Sequence, residues 1–124
     1  MNINELSIQE KIGQMIIVGM DTNYITERIK KLITEYKIGG IILYRKNFKT
    51  YEDMVELIKQ LKELNKKNQL PLLIAIDQEG GRVNRMPKEI LNLPPASLIV
   101  KKAGIEGVEK SAEIIRKNSE EIWL

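Results

Sequence analysis

Amphipathic stretches alternate with short, wholly apolar runs along the chain, and this alternation predicts helices interleaved with buried parallel strands. Ser7 and Glu10 have the spacing of a capping box ahead of a short helix carrying Ile8, Ile12 and Met15, after which residues 15–20 read as a first strand. A second helix is predicted from about Tyr24, with Ile25, Ile29, Leu32, Ile33 and Tyr36 on one face. Gly39 and Gly40 stop it, and residues 41–44 form a second strand. Thr50 and Asp53 repeat the capping spacing for a third helix, whose apolar face is Met54, Val55, Ile58, Leu61 and Leu64 and which ends in the polar stretch 65–69. Residues 72–76 are the third strand, with Pro71 where a missing N–H is tolerated and Asp77 at the exit. After a loop rich in Gly and Pro, a last helix is expected from about Ile105, with Val108, Ala112, Ile115 and Ile122 facing inward.

The fold class is therefore α/β. A helix in such an alternation packs on the strand before it and delivers the chain to the strand after it, and here no further strand follows. Three parallel strands fit a small open sheet, or at most half of a closed (β/α)8 barrel, which takes about 250 residues. With 124 residues, the chain has room for one domain.

Composition then removes whole classes of chemistry. The chain has no Cys and no His, which excludes disulfides, thiolate nucleophiles, imidazole bases and nearly all catalytic zinc sites; acid or base work falls to carboxylates, lysines and tyrosines. No cofactor or metal is expected. Lys and Arg number 20 against 17 Asp and Glu, and the basic residues are dispersed, which argues against a nucleic-acid partner. No apolar run approaches the ~18 residues of a membrane span and the N-terminus lacks an apolar leader core, so no membrane association and a cytoplasmic location are expected.

The densest polar cluster, residues 77–85, follows the most apolar strand. Ligands of parallel sheets bind at the carboxyl ends of the strands. There Asp77 can accept hydrogen bonds from substrate hydroxyls, Gly80 and Gly81 allow a tight turn, and Arg82 and Arg85 offer planar donors to an oxygen-rich ligand. A sugar suits that inventory. The competing reading is that Asp77 pairs with Arg82 or Arg85 merely to hold the loop.

Residues 76–85, Ile-Asp-Gln-Glu-Gly-Gly-Arg-Val-Asn-Arg, resemble the signature after the third strand of glycoside hydrolase family 3, in its bacterial β-N-acetylglucosaminidase branch. Residues 10–15 with 18–20 resemble that family's opening helix and strand, residues 38–47 its second strand and loop, and Leu93-Pro94-Pro95 its turn after the motif. The resemblance covers essentially the whole chain. It implies the N-terminal part, about three β/α units, of a TIM-type barrel, with residues 1–124 an incomplete barrel domain.

The activity implied is removal of terminal β-linked N-acetylglucosamine with retention, through a covalent glycosyl-enzyme intermediate that needs a carboxylate nucleophile and an acid/base group. In this branch the nucleophile is an aspartate on a late strand, and the acid/base is a histidine assisted by an aspartate on a mobile loop. Both lie beyond the positions this chain supplies. Asp21 near the end of the first strand and Asp53 in a cap are no substitutes, so the chain alone is expected to be inactive, with no catalytic residue of its own.

Asp77 and Arg85 match the positions that resemble the family's contacts to hydroxyls of the terminal sugar; Glu79, Gly80, Gly81 and Arg82 match loop-supporting positions. Arg45, Lys46 and Asn47 are expected in a solvated loop, Gly19 and Gly39 at tight packing or turns, and Trp123 as apolar cover. A receiver-type signalling domain has a similar length but needs five β/α units and an acidic pair after the first strand. A non-catalytic sugar-binding or interaction piece completed by another chain, or self-associating, is the remaining alternative.

Overall fold

A computed structural model describes residues 3–123. The elements are α1 (Ile8–Gln14), β1 (Ile17–Gly19), α2 (Glu27–Thr34), β2 (Gly40–Leu43), α3 (Tyr51–Asn65), β3 (Leu73–Ile76) and α4 (Ala96–Trp123), with single 3-10 turns at Ile3–Glu5 and Arg45–Asn47. The three strands form one parallel sheet in the order β1-β2-β3. Ile17 pairs with Gly40 and Gly40 with Leu73; one step on, Val18, Ile41 and Ile74 lie in register.

Alternation along the strands sorts these residues onto two faces. Val18, Ile41, Leu43, Ile74 and Ile76 belong to the main core, together with Ile29 and Ile33 of α2 and Met54, Leu57, Ile58 and Leu61 of α3. The opposite face carries Ile17, Gly40, Leu73, Ile42 and Ala75, and there Ile17 and Leu73 are 51% and 59% exposed.

Local chemistry sets most of the boundaries. The Ser7–Glu10 and Thr50–Asp53 capping boxes are both formed, and Asp53 Oδ2 accepts the N–H groups of Lys49 and Thr50. The second helix starts at Glu27 rather than near Tyr24, because the Thr26 side chain accepts the Ile29 N–H and fixes the cap. It ends at Thr34, before the glycines assigned to stop it, and the chain turns at Lys37 in the left-handed region (φ 53°). Tyr24 and Tyr36 therefore fall outside the helix and are exposed.

The start of the first strand and the docking of α1 also differ from expectation. The first strand is three residues long, since Met15 is the C-cap of α1 and not a strand residue. Moreover, α1 does not dock through Ile8, Ile12 and Met15, which are exposed. Gly13 makes the contact instead: a Cβ there would stand 2.0 Å from the Tyr36 carbonyl oxygen, and the Gly39 N–H reaches the Gly13 carbonyl at 2.9 Å. A helix docked backbone to backbone has no need of an apolar stripe.

The last helix begins at Ala96, ahead of the expected start, and is broken at Gly104 (φ 58°, ψ −150°). Val108, Ala112 and Ile115 are exposed rather than buried in the core, while Ile122 joins it. The side chain of Trp123 lies outside the described residues. Among those described, no helix is long and apolar enough to cross a membrane.

Candidate functional site

The residues after β3 form a tight loop at the sheet's carboxyl edge. Gly80 (φ 79°) and Gly81 (φ 58°) both adopt backbone conformations that L side chains rarely take. Sterics demand glycine as well: a Cβ on Gly80 would lie 2.5 Å from the Pro94 carbonyl oxygen, and one on Gly81 2.4 Å from Cγ of Pro95. The Gly81 N–H donates to the Leu93 carbonyl at 2.9 Å, so the motif rests against the Leu93-Pro94-Pro95 turn. The Glu79 N–H donates to the Val83 carbonyl at 3.0 Å and closes the loop on itself.

Support from Glu79, Gly80 and Gly81 thus runs through the backbone. The Glu79 and Arg82 side chains are exposed. Asp77 is exposed at the strand exit, and Arg85 is partly buried, with its Nε enclosed and unpartnered. No ion pair joins Asp77 to Arg82 or Arg85. The loop is held by glycine turns and main-chain bonds, which leaves the Asp77 carboxylate and the Arg85 guanidinium uncommitted.

Residues that sequence reasoning passed over do much of the positioning. Gln78 Oε1 accepts the N–H groups of Arg85 (2.9 Å) and Met86 (3.3 Å), and its Nε2 donates to Asn92 Oδ1 at 3.3 Å. From the β2 side, Arg45 Nη1 donates to the Met86 carbonyl at 3.2 Å. Asn47 corrects the expectation of a solvated loop: it is 1% exposed, accepts the Tyr44 N–H (2.7 Å) and donates to the carbonyls of Met20 (3.0 Å) and Thr22 (2.6 Å). It thereby staples the loop after β1 to the loop after β2. The spacing of a 3-10 turn capped by its own third residue was the available signal, but nothing local foretold bonds to residues 20 and 22.

Asp21 pairs with Lys46 at 3.0 Å across the same edge, and both are mainly exposed. The lysine, as hydrogen-bond donor and as nearby charge, holds the Asp21 carboxyl below the ordinary carboxylate range. Among the described residues no cluster of three acidic or other metal-ligating side chains could hold a metal ion. A cavity of about 210 Å³ opens between the loop and α4, walled by Met86, Leu91, Leu93, Ile99, Val108 and Ile115. Gln78, Glu79 and Gly80 of the motif also line it, whereas Asp77 and Arg85 do not.

A parallel sheet backed by helices, with polar residues on a glycine-turned loop at its carboxyl edge, has the construction of part of a (β/α)8 barrel. The chain belongs to the family described as glycosyl hydrolase family 3 N terminal domain, whose profile matches residues 7–122. A β-hexosaminidase of Photobacterium profundum is 43% identical over 67 residues, which are 54% of this chain and 19% of that protein. One from Neisseria gonorrhoeae is 38% identical over 85 residues, 68% of this chain and 23% of its own length.

Among solved structures, the family 3 β-N-acetylglucosaminidase from Paenibacillus sp. str. FPU-7 superposes with a TM-score of 0.82 at 32% identity, covering 89% of this chain and 21% of that one. The NagZ of Neisseria gonorrhoeae in complex with N-trifluoroacetyl-D-glucosamine gives a TM-score of 0.63 at 33% identity, covering 78% and 29%. The chain thus spans about a fifth of the length of the curated relatives it matches. Its three β/α units correspond to the N-terminal part of a TIM-type barrel.

Proposed function

We propose that this chain supplies part of the sugar-binding edge of a retaining glycosidase that removes terminal β-linked N-acetylglucosamine, with Asp77 and Arg85 gripping hydroxyls of that sugar. The observation that carries the reading is the motif loop itself, which is held by glycine turns, main-chain bonds and Gln78, so that the Asp77 carboxylate and the Arg85 guanidinium at the sheet's carboxyl edge stay free for a ligand. The ligand in the gonococcal relative, an N-acylated glucosamine, supports the choice of sugar.

Retaining hydrolysis needs a nucleophilic carboxylate and an acid/base group on either side of the glycosidic bond. Asp53 is engaged in its cap, Asp21 is held by Lys46, and the chain contains no histidine, so we assign turnover to residues outside these 124. The test is an assay of the purified chain with an aryl β-N-acetylglucosaminide alongside calorimetry with N-acetylglucosamine. Expected are no hydrolysis above blank and saturable binding of the free sugar. Hydrolysis by the chain alone would overturn the division of labour, and absent binding would remove the sugar site.

A second reading, a non-catalytic module completed by another chain or by a further copy, is favoured by one observation: the open apolar face of the sheet around Ile17 and Leu73.

A further inference from the structure

Arg85 can serve a sugar only if its main chain is fixed relative to Asp77, and the two are eight positions apart in a loop with two glycines. The bond that spans this gap comes from the side chain next to Asp77. Gln78 Oε1 receives two successive N–H groups, those of Arg85 and Met86, and Asn84 Oδ1 adds a further acceptor for Met86 at 3.2 Å. Across the loop, Gln78 Nε2 is oriented by Asn92. The Met86 carbonyl is gripped from the opposite side by Arg45 of the β2 edge. The 85–86 segment is therefore held at its donors by the loop's own root and at its acceptor by the neighbouring strand's loop.

We propose that Gln78 and Arg45 are positioning residues that fix the main chain at Arg85 relative to the strand exit at Asp77 and so set the grip on the terminal sugar. The proposal rests on the sugar reading above for its consequence, but not for its geometry. Glutamine suits the task because one neutral oxygen can accept two N–H groups while its amide nitrogen remains free to be anchored. A charged carboxylate there would stand next to Asp77, and like charges at adjacent positions repel. Arginine at position 45 suits its role because a planar, permanently charged donor on a long stem reaches a carbonyl in another loop.

The test is amide hydrogen exchange by NMR on the full 124-residue chain, with N-acetylglucosamine titration on the same samples. In Gln78→Leu, of similar volume but unable to accept, exchange at the Arg85 amide should rise about tenfold or more, and at Met86, which keeps the Asn84 acceptor, by less, while β2 and α3 amides keep their protection. Gln78→Glu, which restores the acceptor but loses the N–H anchored on Asn92 and adds a charge next to Asp77, should recover protection only in part. Sugar affinity should fall about tenfold in Gln78→Leu, the worth of one charge-assisted bond misplaced.

Arg45→Met provides a second arm that leaves Gln78 intact. It should loosen Met86 more than Arg85 and weaken the sugar without lowering the melting temperature by more than a few degrees. Unchanged exchange at Arg85 and Met86 in Gln78→Leu would overturn the proposal, as would exchange that rises equally through β2 and α3, which marks a general fold residue. If exchange responds as expected while the wild-type chain binds no sugar, the clamp stands and the sugar reading fails.

Discussion

At the residue scale, the charged groups of Asp77 and Arg85 have no internal partner among the described residues, a property they share with Glu79 and Arg82 of the same loop, and Arg85 stands apart in that its Nε is enclosed as well as unpartnered. An exposed carboxylate that makes no bond in the folded chain contributes little to stability, and its loss should be felt only by a ligand. Asp77→Ala is accordingly expected to weaken N-acetylglucosamine binding by roughly ten- to a hundredfold, the worth of a charge-assisted bond, with the thermal midpoint unchanged. Calorimetry and a melting curve on the same sample check both halves. Asn47 presents the opposite case. Its amide satisfies three main-chain groups in a buried setting, so Asn47→Ala strands the Tyr44 N–H and the Met20 and Thr22 carbonyls. A loss of about 2 to 3 kcal/mol is expected in denaturant unfolding. Normal stability in that variant would mean that the staple is dispensable.

Elements were legible from sequence where their determinants are local. The two capping boxes and the amphipathic face of α3 need only spacing, and both agree with the structure apart from Leu57, which is buried in addition to the expected face, and Val55, which the expected face included but the core does not. Determinants that arrive from distant segments left no local trace. The Gly13 contact of α1, the reach of Arg45 to Met86 and the Asn47 staple all depend on main-chain groups brought close by the sheet. The motif loop lies between these cases: its resemblance to a family pointed to the segment, its glycines could be read as turns, and the role of Gln78 could not be read at all.

α4 starts at Ala96, ahead of the expected Ile105, and Gly104 joins its two helical halves in a conformation close to exclusive to glycine. Nothing stands within 4 Å of a Cβ added there, so the penalty for alanine is purely one of backbone. Gly104→Ala should destabilise the native arrangement by about 1 to 3 kcal/mol, seen as a lower midpoint in thermal unfolding. An unchanged or raised midpoint would show the break to be incidental. At α1, the Ser7 backbone and side-chain bonds, with a lesser contribution from Lys37, hold the Glu10 carboxyl below the ordinary glutamate range. A depressed folded-state value stabilises above the unfolded value and loses that contribution as pH falls through the folded one. The stability difference between wild type and Glu10→Gln is therefore expected at neutral pH and should vanish on acidification, measured by melts across the acid range.

At the scale of the whole molecule, the sheet poses a question that its helices answer on one side only. Parallel sheets are buried on both faces, and α2 and α3 cover the face carrying Ile41 and Leu43. On the other face Ile17 and Leu73 stand half or more exposed, flanking Gly40, with no charged residue among the strand positions that share that face. Both outer strands also pair on one side only among the described residues, leaving main-chain donors and acceptors open to another strand. Apolar surface of this kind drives association, whether with further β/α units or with copies of the chain. Sedimentation of the 124-residue chain should therefore show association that strengthens with concentration, and Leu73→Glu should suppress it. That substitution places a charge on the open face while leaving the core residues untouched. A monodisperse monomer with a sharp cooperative melt and no binding of apolar dyes would contradict this expectation, and would mean that the open face is satisfied within a single chain.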